Sequence, residues 1–197
     1  MIKVLIGNGG HAREVMAQMG VKLERFVDDQ YVDDQYVDHE TSPLSKFDPN
    51  IHIVMVAVAN PKDRYDIVQR LPKETKFFTF IHPTALIMDD NIEIEDGSFI
   101  GAYSILTTNI KIGKHCILNR GNHIGHDCVI GDFFSAMPGA IISGNVNIGD
   151  KVYMGNNSSI REKLSVYSLS TIGMNSAVVK NIDEPGTYVG CPSKKIR

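Results

Sequence analysis

Two rhythms of apolar residues run along this chain, and they meet near residue 82. In the first stretch, IKVLI at 2–6 reads as a short buried strand. Val15, Met16 and Met19 then recur at helical spacing over 11–19, behind a glycine-rich turn. Arg25 to Val27 reads as a second strand, and Ile51 to Ala59 as a third, apolar on both phases as a strand covered on both faces must be. Asn60, Pro61 and Asp63 supply an N-cap, a preorganised first helical residue and a first-turn negative charge ahead of Tyr65, Ile67 and Val68. The alternation predicts a small α/β domain with a parallel sheet over residues 1–82.

From Ala85 the rhythm changes to six. The chain divides into ALIMDD, NIEIED, GSFIGA, YSILTT, NIKIGK, HCILNR, GNHIGH, DCVIGD, FFSAMP, GAIISG and onward to NSAVVK, with an aliphatic residue or Met at every fourth position. A strict period of six is neither helical nor a simple strand alternation. It predicts a β-helix in which each hexad turns its fourth side chain into a narrow prism and glycines relieve the corners. With three hexads per coil, residues eighteen apart stack at strand spacing, about 4.8 Å. The β-helix is expected over 83–180, with a tail at 181–197.

Charge and composition narrow the partners. A net charge of −3 and a pI near 6.1, with no run of Lys or Arg, argue against nucleic acid and anionic membranes. Cys116, Cys128 and Cys191 are odd in number and lack metal-type spacing, which suits a reducing cytoplasm, and no apolar run is long enough for a membrane-spanning helix. VDDQYVDDQYVDH is an acidic tandem repeat expected as a surface loop. Its Asp28 and Asp29 are the exception, standing at the carboxyl end of a predicted strand where ligands bind in open α/β sheets.

The glycine turn itself, GNGGHAREV, fits a dinucleotide pattern at Gly7, Gly9 and Ala12, and fits a ligand-free strand-to-helix turn as well. Histidines are the natural groups for proton transfer near neutral pH. His82 precedes a proline at the junction, and His115, His123 and His126 lie in the hexads. Ile124 points inward, so His123 projects outward, while His126 falls at a corner beside Asp127. Eighteen residues on, Gly144 stacks over His126 with a backbone N–H that no side chain shields.

The hexad array, joined to GNGGHA, the VDD after the second strand, IHPTA at the junction, GHDCVIGD and the late GCPSK, resembles a known family. It is similar to the hexapeptide-repeat acyltransferases of the sialic acid O-acetyltransferase and nucleotide-amino-sugar N-acetyltransferase type. The resemblance covers nearly the whole chain. It implies a Rossmann-like α/β domain followed by a left-handed parallel β-helix, and N-acetylation of a nucleotide-linked amino-deoxy sugar from acetyl-CoA, with no metal. A 4-amino-4,6-dideoxyhexose is the expected sugar, in surface glycan biosynthesis. O-acetylation of a sialic acid or related hydroxyl is the alternative.

By the same resemblance His126 is the general base and Asp127 the carboxylate that orients it. Gly7, Gly9, Gly10 and His11 would lie near the diphosphate and Asp28 and Asp29 near the nucleoside, with Asn60 and Asn119 completing the substrate set. Gly144, Ser135, Met174 and Lys194 would serve the acyl donor, between subunits of a homotrimer. Two departures stand out: Ser135 occupies a position where many relatives carry a second histidine, and Ser193 replaces alanine in the tail motif. Phe133 and Phe134 fit a subunit interface, donor contacts or the core. Three other classes remain: a metal-dependent hydratase using His115, His123 and His126, an NAD-dependent oxidoreductase, and a non-catalytic ligand-binding or scaffolding protein.

Overall fold

The computed structural model describes residues 1–27 and 41–197. The predicted Asp28 and Asp29 contacts and the VDDQY repeat lie outside the described residues. The first domain opens with β1 (Ile2–Ile6), α1 (Gly10–Met19) and β2 (Arg25–Val27). It continues through β3 (Thr41–Pro43), β4 (His52–Val56), α2 (Pro61–Arg70) and β5 (Lys76–Phe77). The strands form one parallel sheet in the order β3-β2-β1-β4-β5. Its order reverses between β1 and β4, so the turns following these two strands flank a crevice at their carboxyl ends.

The rest of the chain is a left-handed parallel β-helix with two- and three-residue strands on three faces. From residue 97 to residue 175 the first position of every hexad has positive φ, between 49° and 64° at eleven non-glycine residues and 69° to 76° at Gly97, Gly121 and Gly139. Each non-glycine corner costs on the order of 1 kcal/mol. Burial along the hexads offsets it: the fourth-position side chains from Ile100 to Val178 all lie in one core.

Two details differ from the simple hexad rule. From Ser98 to Ser176 the second position of each hexad is also buried, so these hexads enclose two side chains. Polar ones there donate to carbonyls of the next coil, as Ser98 Oγ does to Gly113 O at 3.1 Å and Cys116 Sγ to Gly131 O at 3.2 Å. Burial pushes the Cys116 thiol up to about 12. The first hexad is out of step as well. Leu106 pairs with Ile87, nineteen residues earlier, so Ile87 packs on the core and Met88 is exposed. At the other end the coil runs past residue 180, with Ile182 and Tyr188 in the core and Thr187–Val189 continuing a face.

The three faces have different neighbours. The face carrying Phe99, Ile117 and Ser135 is covered by α1 and the sheet, and Leu5, Ala12, Val15, Met55, Phe99 and Ile117 share one core. A second face exposes Leu86, His123 and Ile141, and the third exposes Glu93, Lys111 and Val129.

Candidate active site

His126 sits at the corner between the second and third faces, where the chain turns through Asp127 at φ 58°. Its Nδ1 lies 2.7 Å from Asp127 Oδ2. The other carboxylate oxygen accepts from Asn109 Nδ2 at 2.6 Å. Asn109 and Asn145 are the corner residues one coil to either side of Asp127, and Asn145 Nδ2 comes within 3.5 Å of His126 Nδ1. Hydrogen bonds from Asn109 and then His126 hold the Asp127 carboxyl below the usual range, so it is ionised and selects the tautomer with hydrogen on Nδ1. His126 Nε2 has no hydrogen-bond partner among the described residues, and the ring is half exposed. A base with an oriented ring and an open nitrogen can take a proton from an incoming nucleophile.

Gly144 lies under that nitrogen. A Cβ built on it would stand 2.4 Å from His126 Nε2, so only glycine leaves room for the imidazole. The corner of the coil that carries Asp132 shows what is special here. There Asp132 caps the Lys114 N–H at 2.8 Å, Asp150 the Asp132 N–H at 2.9 Å, and Ser168 the Asp150 N–H at 2.9 Å. At the His126 corner the side-chain ladder is interrupted, and the Gly144 N–H has no acceptor among the described residues. An uncapped N–H beside a free imidazole nitrogen can receive negative charge on a carbonyl oxygen.

The other predicted residues fall on the first domain and its seam with the coil. Gly7 has φ 122°, and a side chain there would meet Ala57 O at 2.9 Å, so it is required for a turn pressed against the next strand's turn. Gly9 and Gly10 instead face open space at the start of α1, whose N-terminus has neither a side-chain cap nor an acidic residue. Such a helix start attracts anions. His11 packs edge-on against Phe99 and its Nε2 has no partner among the described residues. Burial, with the charge of Arg64, pulls His11 down to about 4. Asn60 caps α2, accepting from Lys62 N at 2.9 Å and Asp63 N at 3.3 Å.

Asn119 is buried at the corner shared with Arg120, where it meets Glu14 at 3.3 Å and Gln18 at 3.4 Å. Burial would raise the Glu14 carboxyl, but hydrogen bonds from Arg120 and Asn119 outweigh it and keep it low. Met174 is exposed at the same corner three coils on, and Lys194 is exposed on the short antiparallel strand at the chain's end. Ser135 lies away from both open faces. It lies on the face that the first domain covers, fully buried, between Arg64 and Ala59 O. Phe133 and Phe134 are core residues, Phe133 stacked on His115 and Phe134 inside the prism. His115, His123 and His126 occupy the seam, an open face and a corner, and no metal-type group of His, Cys, Asp or Glu occurs among the described residues. No helix among those residues is long and apolar enough to cross a membrane.

No family model matches the chain. It is 32% identical over 108 residues, 54% of its length, to the GDP-perosamine N-acetyltransferase of Escherichia coli O157:H7, of which the match covers 48%. The chain spans between about a third and a half of the length of that and the next curated relatives it matches. Among solved structures, WeeI from Acinetobacter baumannii AYE is 27% identical with a TM-score of 0.85, each chain covered in full. The chain is similar to the hexapeptide-repeat acyltransferases. Its fold is shared by a mutant perosamine N-acetyltransferase from Caulobacter crescentus in complex with CoA and GDP-perosamine. That structure is 20% identical with a TM-score of 0.86, over 100% of this chain and 97% of that one.

Within this hexapeptide-repeat chain, several site residues carried no local sequence signal. Asn109 and Asn145 were accessible from the eighteen-residue arithmetic applied to Asp127. Arg64, Glu14 and Gln18 act across the seam, and only the docking of the two domains brings them to the coil.

Proposed function

We propose that this protein transfers an acetyl group from acetyl-CoA to the amine of a nucleotide-linked amino-deoxy sugar, with a 4-amino-4,6-dideoxyhexose as the preferred class. The observation that carries the proposal is the His126–Asp127 pair set over a glycine with an uncapped N–H. Support comes from the match to a GDP-perosamine N-acetyltransferase and from the fold shared with a protein holding CoA and GDP-perosamine.

In the reaction the sugar amine attacks the thioester carbonyl carbon. The new C–N bond forms as the amine proton passes to His126 Nε2, and the Gly144 N–H receives the charge on the carbonyl oxygen. The tetrahedral species collapses with cleavage of the C–S bond, and the thiolate takes the proton from His126. Asp127 steadies the imidazolium between these steps. The open N-terminus of α1 and the Gly7–Gly10 turn would seat the diphosphate, with the crevice between β1 and β4 for the nucleoside. Within one chain α1 docks at the Asn119 corner and His126 stands at the next, so the full site would form between subunits of a homotrimer.

The test is thiol release from acetyl-CoA with GDP-, dTDP- and UDP-linked 4-amino-4,6-dideoxy sugars. One nucleotide series should turn over, and His126→Ala should lose at least ~100-fold in kcat, the scale of a missing general base. Turnover that survived in the variant would remove His126 from the role. Silence across the panel, with activity on sialic acid hydroxyls, would replace N- with O-acetylation.

A further inference from the structure

Arg64 holds a wall of the β1/β4 crevice and the β-helix in a single grip. It is fully buried in α2. Its Nε donates to His115 O at 2.8 Å, and its Nη2 to Phe133 O at 2.8 Å, Phe134 O at 3.0 Å and Ser135 Oγ at 2.8 Å. Its Nη1 turns back to Val58 O at 2.5 Å and Ala59 O at 3.2 Å, the turn that leads from β4 into α2. The Ser135 hydroxyl closes the ring by donating to Ala59 O at 2.8 Å. These partners are carbonyl and hydroxyl oxygens, and no carboxylate bonds the guanidinium among the described residues. A buried cation held this way is costly compared with an apolar side chain of the same volume, which points to geometry as what it contributes. The planar fork of arginine can meet carbonyls on two sides at fixed angles; a lysine cannot.

The turn so held is a wall of the crevice. Ala57 O lies against Gly7, and Asn60 ends the turn as the cap of α2. We propose that Arg64, with Ser135, is a positioning residue: the pair fixes the Val58–Asn60 turn on the β-helix and thereby sets the width and attitude of the nucleotide crevice. Ser135 thus has a role in placing the acceptor sugar rather than the acyl donor. The inference rests on the crevice being the nucleotide-sugar site.

Ser135→Ala is the primary variant, because it deletes one hydroxyl and leaves the packing in place; Arg64→Lys and Arg64→Met accompany it. Three readouts on the full chain are needed. These are amide hydrogen exchange over residues 57–61, affinity for GDP, dTDP, UDP and CoA each alone, and the KM values of both substrates. In Ser135→Ala, exchange over 57–61 should quicken and affinity for the favoured nucleoside diphosphate should fall about tenfold, the scale of one hydrogen bond to a charged group. CoA affinity and the acetyl-CoA KM should stay at wild-type values. Arg64→Lys should resemble Arg64→Met rather than wild type. Unchanged exchange and nucleotide affinity in Ser135→Ala would overturn the proposal, as would CoA affinity falling in step with nucleotide affinity or rescue by lysine. If the wild type bound none of the three nucleoside diphosphates, the crevice assignment would fail. The exchange data alone would then decide whether the pair holds the turn.

Discussion

A methyl group on Gly144 has nowhere to go: 2.4 Å from His126 Nε2 is far inside van der Waals contact. The backbone at Gly144 is compatible with an L-residue, since its φ is not among the positive values. Gly144→Ala is therefore expected to fold with a melting temperature near wild type and to displace the imidazole from over the uncapped N–H. The loss in kcat should be on the order of 10²-fold or more, the cost of misplacing a base or an oxyanion donor. A variant with wild-type kcat would show that neither the ring position nor this N–H matters. The same residue shows how far coil arithmetic reaches. Eighteen-residue spacing places Gly144 over His126 from sequence alone, and the same step from Asp127 reaches Asn109 and Asn145. Ser135 was beyond that reach, because its outward position is known but the identity of what covers that face is not.

At the scale of elements, the seam between α1, α2 and the coil holds two buried histidines beside an arginine. His11 meets Arg64 and Glu14; His115 meets Arg64, Lys114 and Asp96, with its ring between Phe77 and Phe133. Burial first, then Arg64, lowers both to about 4 from an ordinary 6.5. A histidine kept neutral in the fold and free to protonate when unfolded stabilises the fold fully above 6.5. That contribution is lost as pH falls from 6.5 through 4, by up to about 3 kcal/mol for each histidine. Thermal unfolding followed between pH 7 and 4 should show the melting temperature falling across this window, and His115→Phe should flatten the slope. An unchanged slope in that variant would remove His115 as a source. The strands β1, β2 and β4, both helices and the hexad period were legible because each depends on near neighbours in sequence, whereas the short edge strands β3 and β5 carried no such pattern. The seam was not, because its aromatic and arginine contacts join residues fifty to seventy positions apart.

At the scale of the molecule, the two halves of the proposed chemistry stand on different edges of one chain. The Gly7–Gly10 turn belongs to the domain that covers the first face, while His126 stands beyond the open second face with its exposed Leu86 and Ile141. In a trimer that buried this apolar face, the crevice of one subunit would serve His126 of its neighbour. Mixed subunits test that arrangement without any structure. Gly9→Asp places a negative charge where the diphosphate would sit, in open space and at a position where aspartate is a good helix cap, so the chain should fold. Each of Gly9→Asp and His126→Ala should be inactive alone. Coexpressed in equal amounts and assembled at random, they should regain about a quarter of wild-type activity. One interface in four then joins an intact crevice to an intact histidine across a head-to-tail contact. If both halves of the site came from the same chain, no mixture would recover activity. The same purified mixture, sized by light scattering, would report whether the active species is the trimer.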